Sequence, residues 1–255
     1  MDKLNIGILF CSYGKDTQNY IRHCISPWES TDLLCNVSFA ATSAQFSKFE
    51  TEEDYESKRI FEANGVERVF HSINPISEAE ARSGGLNLLS LDSLDYVWLV
   101  DSDEIYKTEE INAIVNFLER NRLTNWFSIS LKNFVFDKST YLEEPFQPPR
   151  IFKTHCGDVK LAGFYWDNEP YYIKDENNSQ HIDFKSFSSI IIPPNVAWIS
   201  HYSWLNDERS RKKIEYQKAR GWNCSYDWNK ETGLTFSIDC YKNSKHFPNT
   251  LKAVQ

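Results

Sequence analysis

The chain has 255 residues, of which 41% are hydrophobic and 25% charged, a globular balance that excludes a disordered, collagen-like or coiled-coil protein. At this length folding buries roughly 70–75% of the extended-chain surface, so no disulfide staple is required. A formal net charge of −8 argues against a surface that wraps nucleic acid as a whole, although a local basic strip is compatible with it.

No apolar run approaches the roughly 20 residues that cross a bilayer. The opening MDKLNIGILFCSYG lacks a secretory apolar core with a small-residue cleavage site and reads as a first strand, so a cytoplasmic chain is expected. Its cysteines (Cys11, Cys24, Cys35, Cys156, Cys224 and Cys240) form no CxxC pair and read as reduced structural thiols.

In chain order, 5–11 is an apolar strand closed by the turn formers Ser12-Tyr13-Gly14. Apolar residues at Tyr20, Ile21, Cys24 and Ile25 predict a helix over 17–28 that stops near Pro27. A strand at 34–41, a charged helix at 52–64 ended by Gly65, and a short strand at 66–70 follow. Ser77 and Glu80 have the spacing of a capping box for a helix over 77–91. An unbroken apolar strand at 96–100 ends abruptly at Asp101, before a helix at 109–121 and a strand at 126–136. Farther on, strands are expected at 190–192 and 196–199, and a helix at 207–220 ended by Gly221. Strands alternating with helices predict one α/β domain whose mostly parallel sheet is covered on both faces. Ligands of such sheets gather beyond the carboxyl ends of the strands, which places the loop after Cys11 and the turn after Val100 at one crevice.

That turn, Asp101-Ser102-Asp103-Glu104, carries three carboxylates in four positions. Like charges so close resist ionisation unless a cation is present. Oxygen ligands at alternating positions suit Mg²⁺ or Mn²⁺, shared with phosphate. The alternative is a solvated acidic turn that caps the next helix. On either reading the carboxylates are expected to be exposed.

The segment 77–106, with Ala81-Arg82, Asn87 and VWLVDSDEIY, resembles GT-A fold glycosyltransferases of the family 2-like group. The run AWISHYSWLNDERSRKKIEYQKARG is similar to the closing segment of bacterial sugar transferases of the lipopolysaccharide-core type, and Pro149-Arg150-Ile151-Phe152-Lys153 resembles the strand after their DxD turn. The resemblance implies a single GT-A domain over 1–255, with a nucleotide-sugar-binding half at 1–106. An acceptor-side half at 107–255 then ends in a closing helix. It implies Asp101, Asp103 and His201 as ligands of Mn²⁺ or Mg²⁺ against the diphosphate of a UDP- or GDP-sugar. Ser12, Tyr13, Arg82 and Ser102 then line the donor pocket. The reaction implied is transfer of a sugar to a hydroxyl acceptor, a glycan or lipid-linked saccharide, with inversion.

Other readings stay open beside this one. The 207–220 segment sets six cations (Arg209, Arg211, Lys212, Lys213, Lys218, Arg220) against three acids. It is a solvated helix face, or it neutralises a departing diphosphate through Lys213. With Trp204, Tyr216, Trp222 and Trp228 interleaved, it also has the composition that grips nucleic acid, so a phage-type enzyme acting on a hydroxymethylated base in DNA is an alternative. Glu169 and Asp167, in the aromatic run FYWDNE, are the candidate acceptor bases, or members of an ordinary turn. They would equally serve a glycoside hydrolase. A non-catalytic carbohydrate-binding protein would use the rings alone. The chain departs from the family in lacking its His-Glu or Glu-Asp pair here. The second strand also leads into Ala41-Thr42-Ser43 where an acidic residue often binds the base.

Overall fold

Strand β1 (Asn5–Ser12) buries every side chain after Asn5, so both of its faces must be covered. It is the centre of a computed structural model that describes residues 3–12, 18–44, 55–135, 140–144, 147–166, 169–174, 180–204, 210–211, 213–215, 218, 226–229, 233–236 and 252–253. After it come α1 (Gln18–Ile25), β2 (Asn36–Ala44), α2 (Glu56–Ala63), β3 (Val69–Ser72), α3 (Glu78–Leu86) and β4 (Tyr96–Asp101). Next are β5 (Glu104–Ile105), α4 (Thr108–Arg120), β6 (Trp126–Ile129), β7 (Leu131–Val135), β8 (Thr140–Glu144) and β9 (Pro149–Lys153). Then follow β10 (His155–Cys156), β11 (Val159–Trp166), β12 (Glu169–Ile173), β13 (Ile182–Asp183), β14 (Ser189–Ile192) and β15 (Ile199–Trp204), and finally β16 (Tyr226–Asn229), β17 (Gly233–Phe236) and β18 (Lys252–Ala253).

Seven strands form the central sheet in the order β14-β6-β9-β4-β1-β2-β3. Its neighbours pair in parallel except at β9, which runs antiparallel to both β4 and β6. The α/β architecture with a mostly parallel sheet is as the sequence predicts. Alternation of side chains splits the core in two. Ile6, Ile8 and Phe10 of β1 and Tyr96, Trp98 and Val100 of β4 face α1, α2 and α4, whose buried stripes include Ile21, Phe61, Ile111, Ile114, Val115 and Leu118. Leu9, Val97 and Leu99 face the other way, onto Leu86 of α3 and onto Leu161, Phe164 and Tyr172 of a small antiparallel sheet, β10-β11-β12-β13. Strand β7 begins another sheet, in the order β18-β8-β7-β15-β5.

Several boundaries differ from the sequence reading for identifiable reasons. The strand expected at 126–136 is two strands in two sheets, because Ser130 leaves the first ladder and its carbonyl accepts the Ile199 N–H at 2.9 Å. The strand expected at 196–199 starts only at Ile199. Before it, the Pro193 carbonyl accepts from Val196 at 2.8 Å and closes a turn. Helix α3 has the expected capping box, with Ser77 Oγ accepting from Glu80 N at 3.1 Å and Glu80 Oε2 accepting from Ser77 N at 2.8 Å. It ends at Leu86, and Leu91–Ser93 is a separate 3₁₀ turn. Of the helix expected at 207–220, residues 210, 211, 213–215 and 218 are helical and the others lie outside the described residues. The four described cysteines, Cys11, Cys24, Cys35 and Cys156, are free and buried, in keeping with structural thiols. No described helix is long and apolar enough to cross a membrane.

Helix α3 lies close against the sheet because it presents Gly85 there. A Cβ on Gly85 would stand 2.6 Å from both Leu9 Cδ1 and Thr42 Cγ2. The better helix propensity of alanine is worth about 1 kcal/mol, whereas overpacking a filled core costs about 1–3 kcal/mol. Gly85→Ala should therefore lose about 1–2 kcal/mol in urea unfolding, by the difference of these terms. An unchanged or raised midpoint would show that the helix can lift off without cost.

Candidate active site at the carboxyl end of β4

Asp101 ends β4 in register with Cys11 of β1, so it stands at the carboxyl edge of the parallel part of the sheet. It continues the alternation of Val97 and Leu99 and so faces α3. There Arg82, itself only 2% exposed, donates from Nη2 to Asp101 Oδ1 at 3.0 Å. A second guanidinium reaches the same carboxylate from the antiparallel strand β9. Arg150 donates from Nη2 to Asp101 Oδ2 at 3.0 Å. Its Nε also lies 3.1 and 3.0 Å from the two carboxylate oxygens of Glu104. Asp101 is thus held between two arginines, and Arg150 joins it to Glu104.

The turn is fixed from below as well. The Ser102 N–H donates to the Cys11 carbonyl at 2.7 Å, and the Tyr202 N–H donates to the Asp103 carbonyl at 2.9 Å. Tyr106, just past the turn, sits edge-on to Trp98, with ring centres 5.2 Å apart and Trp98 Nε1 donating to its hydroxyl at 3.4 Å. Strand β15 pairs with β5 and with β7, which brings His201 opposite both Glu104 and Asn133. His201 Nδ1 bonds to Asn133 Oδ1. On the other side of the ring, His201 Nε2 lies 3.5 Å from Asp103 Oδ2.

Burial dominates the electrostatics. It pushes the Glu104 carboxyl up, against the pull of Arg150 and with the charges of Asp101 and Asp103 adding to the rise. For Arg150, burial opposes the charge but is outweighed by Glu104 and Asp101, so its proton is held more firmly than usual. Cys11 is pushed up to about 12 by burial, only partly offset by Arg82. Cys24 rises through burial and then through Glu104, Asp103 and Asp101. Neither thiol is ionised near neutral pH, which excludes them as resting thiolate nucleophiles.

Of the residues singled out from the sequence, Asp101, Ser102, Asp103, Arg82 and His201 come together here. The turn is not the exposed one expected, since Asp103 is 3% and Glu104 1% exposed. Both oxygens of Asp101 face arginines, whereas Asp103 faces His201. Among the described residues no three His, Cys, Asp or Glu side chains are grouped to hold a metal ion. Ser12 is one residue beyond Cys11 but points to the opposite face, where its hydroxyl donates to Ser57 Oγ of α2 at 3.3 Å. Ser102 Oγ is buried without a hydrogen-bond partner. Lys213 lies with its Nζ 5.0 Å from the centre of the Trp204 ring, at the end of β15. Glu169 of β12 is ion-paired with Lys185, so its surroundings are ionic, not the apolar ones the sequence suggests. Tyr13 and Asp167 lie outside the described residues.

The sequence reading missed Arg150, Glu104 and Asn133 as site residues. A signal for Arg150 was available: a cation flanked by Pro149 and Ile151-Phe152, in a strand this apolar, needs a buried acid as partner.

No protein-family model matches the chain, and no curated protein does. Among solved structures, S. aureus TarS 1–349 is similar at 14% identity and a TM-score of 0.40, over 59% of this chain and 47% of that one. The same protein in complex with UDP matches at 12% identity and 0.41, over 76% and 62%. In complex with UDP-GlcNAc it matches at 11% and 0.39, over 74% and 59%. The chain therefore spans less than two thirds of those structures. At these values the likeness is one of coarse shape and nothing more.

Removing one member of a buried ion pair strands the other without its counter-charge, at a cost of about 3–5 kcal/mol. Glu104→Ala should destabilise the fold by an amount in this range, on the order of 3 kcal/mol or more in urea unfolding. A loss under about 1 kcal/mol, the value of an exposed pair, would mean that water reaches Arg150.

Proposed function

We propose that the chain is a glycosyltransferase of GT-A type that moves a sugar from a nucleotide-sugar donor to a hydroxyl acceptor, a glycan or lipid-linked saccharide. The observation that carries the reading is the acidic turn, seated at the carboxyl end of β4 beside β1 in a parallel sheet and held by two buried arginines. Ligands of open α/β sheets collect at that edge. A rigid turn there can also hold a charged substrate without reorganising during the reaction.

In this reading Asp103 and His201 face the donor diphosphate. A carboxylate beside an imidazole would suit Mn²⁺ or Mg²⁺, hard ions that fill their remaining positions with phosphate oxygens and water. Such an ion would supply Lewis-acid stabilisation of the departing nucleoside diphosphate. Asp101 is assigned a different part from the one the family resemblance implies. Clamped by Arg82 and Arg150, it sets the position of the turn. Lys213 meets the charge that develops on the leaving group, and Ser102 borders the donor pocket. Glu169 and Asp167 are the candidates for taking the acceptor's proton.

Two measurements test this reading. In a thermal-shift panel of UDP, GDP, ADP and CDP with and without Mn²⁺, one diphosphate should raise the melting temperature by about 5–10 °C at ~100 times its dissociation constant. No response to any of them would remove the nucleotide-sugar assignment. Asp103→Asn keeps the shape of a buried side chain, which Ala would not. It should lower sugar transfer by about 100-fold or more while the protein still melts cooperatively. Near-normal transfer by this variant would take Asp103 out of the donor site.

A further inference from the structure

We infer that Arg150 is a positioning residue that serves as the resident counter-cation of the acidic turn, holding Asp101 and Glu104 in place whether or not a metal ion is bound. The inference goes beyond the glycosyltransferase reading and stands whatever the ligand proves to be. It rests on how the guanidinium is used. Nε and Nη2 contact both oxygens of Glu104, Nη2 also bonds Asp101 Oδ2 at 3.0 Å, and Nη1 donates to the Pro149 carbonyl at 3.4 Å. With its side chain 5% exposed, it turns these donors inward to the protein. A planar fork of this kind can bridge two carboxylates at once, which a lysine ammonium cannot do with the same geometry.

The position of Arg150 explains why it falls to this residue. Strand β9 is the antiparallel member of the central sheet, and its pairing of Ile151 with Trp98 sets Arg150 beside Leu99, on the face that Asp101 shares and short of it by a distance its long side chain spans. Arg82 approaches from a helix and divides its charge between Asp101 and Glu78, the latter at 3.8 Å. Arg150 bridges the carboxylates of Asp101 and Glu104, and the Asp101 N–H adds a direct bond to Glu104 Oε2 at 3.3 Å. Like charges at this spacing oppose one another's ionisation unless compensated. Removing the guanidinium should therefore make the fold depend more on a divalent ion for its stability.

The test is thermal melting of the nucleotide-free protein with EDTA or with millimolar MgCl₂, with KCl matched for ionic strength. Arg150→Gln should melt roughly 10 °C below wild type in EDTA and recover a third or more of that loss in MgCl₂, a gain larger than that of wild type. Arg150→Lys should fall between, with little extra gain. Leu99→Ala is the control, because it removes a buried apolar side chain on the same face and should be destabilised without any extra Mg²⁺ gain. A gain by Arg150→Gln no larger than that of wild type, or one matched by Leu99→Ala, would overturn the inference. Should Arg150→Gln be unfolded in EDTA, the fraction folded on adding MgCl₂ is read in its place: a rise supports the inference and no rise overturns it. The nucleotide panel on wild type reads the glycosyltransferase assignment separately.

Discussion

The carboxylate of Asp101, held on one side by Arg82 and on the other by Arg150, is the interaction on which the candidate site depends. Carboxylates crowded at the end of a buried strand cannot all remain ionised there without cations close by. The fold supplies those cations itself, from α3 and from β9. Such an arrangement is weak evidence of net stability, since each buried charge must first be taken from water. What it does confer is a fixed geometry, because neither partner can leave without stranding the other.

This constraint reaches into the architecture. Arg82 can meet Asp101 only because α3 lies close to the sheet, and α3 lies close because Gly85 offers no Cβ to Leu9 and Thr42. Arg150 arrives on the antiparallel strand inserted between β4 and β6. Beyond the turn, Tyr106 is fixed by Trp98, and Asp103 is fixed through the Tyr202 N–H. The site is therefore built from five sequence-distant pieces around a short segment. Asp101 is engaged in internal ion pairs, while His201 Nε2 lies 3.5 Å from Asp103 Oδ2.

Much of this was legible along the chain. The apolar run from Tyr96 to Val100 ending in Asp101 identified the strand and its acidic exit, and the Ser77/Glu80 spacing identified the start of α3. Both depend on local patterning, which the fold preserves. The reading failed where a partner lies far away in sequence. Glu104 reads as part of a cation-binding or solvated acidic turn because its partner, Arg150, is 46 residues away. The 126–136 run reads as one strand because its hydrophobicity is continuous, whereas Ser130 hands the chain from one sheet to another. Asp103 reads as exposed because acidic turns usually are, yet β15 covers it.

The sequence by itself determined the α/β alternation, the acidic turn at a strand's carboxyl end, and a cation on the helix before it, since periodicity, caps and turn residues act over a few positions. Only the tertiary structure decided which charges meet. The electrostatic energy of a carboxylate depends on distance through space and on exclusion of water, and neither is written in the spacing of residues along the chain.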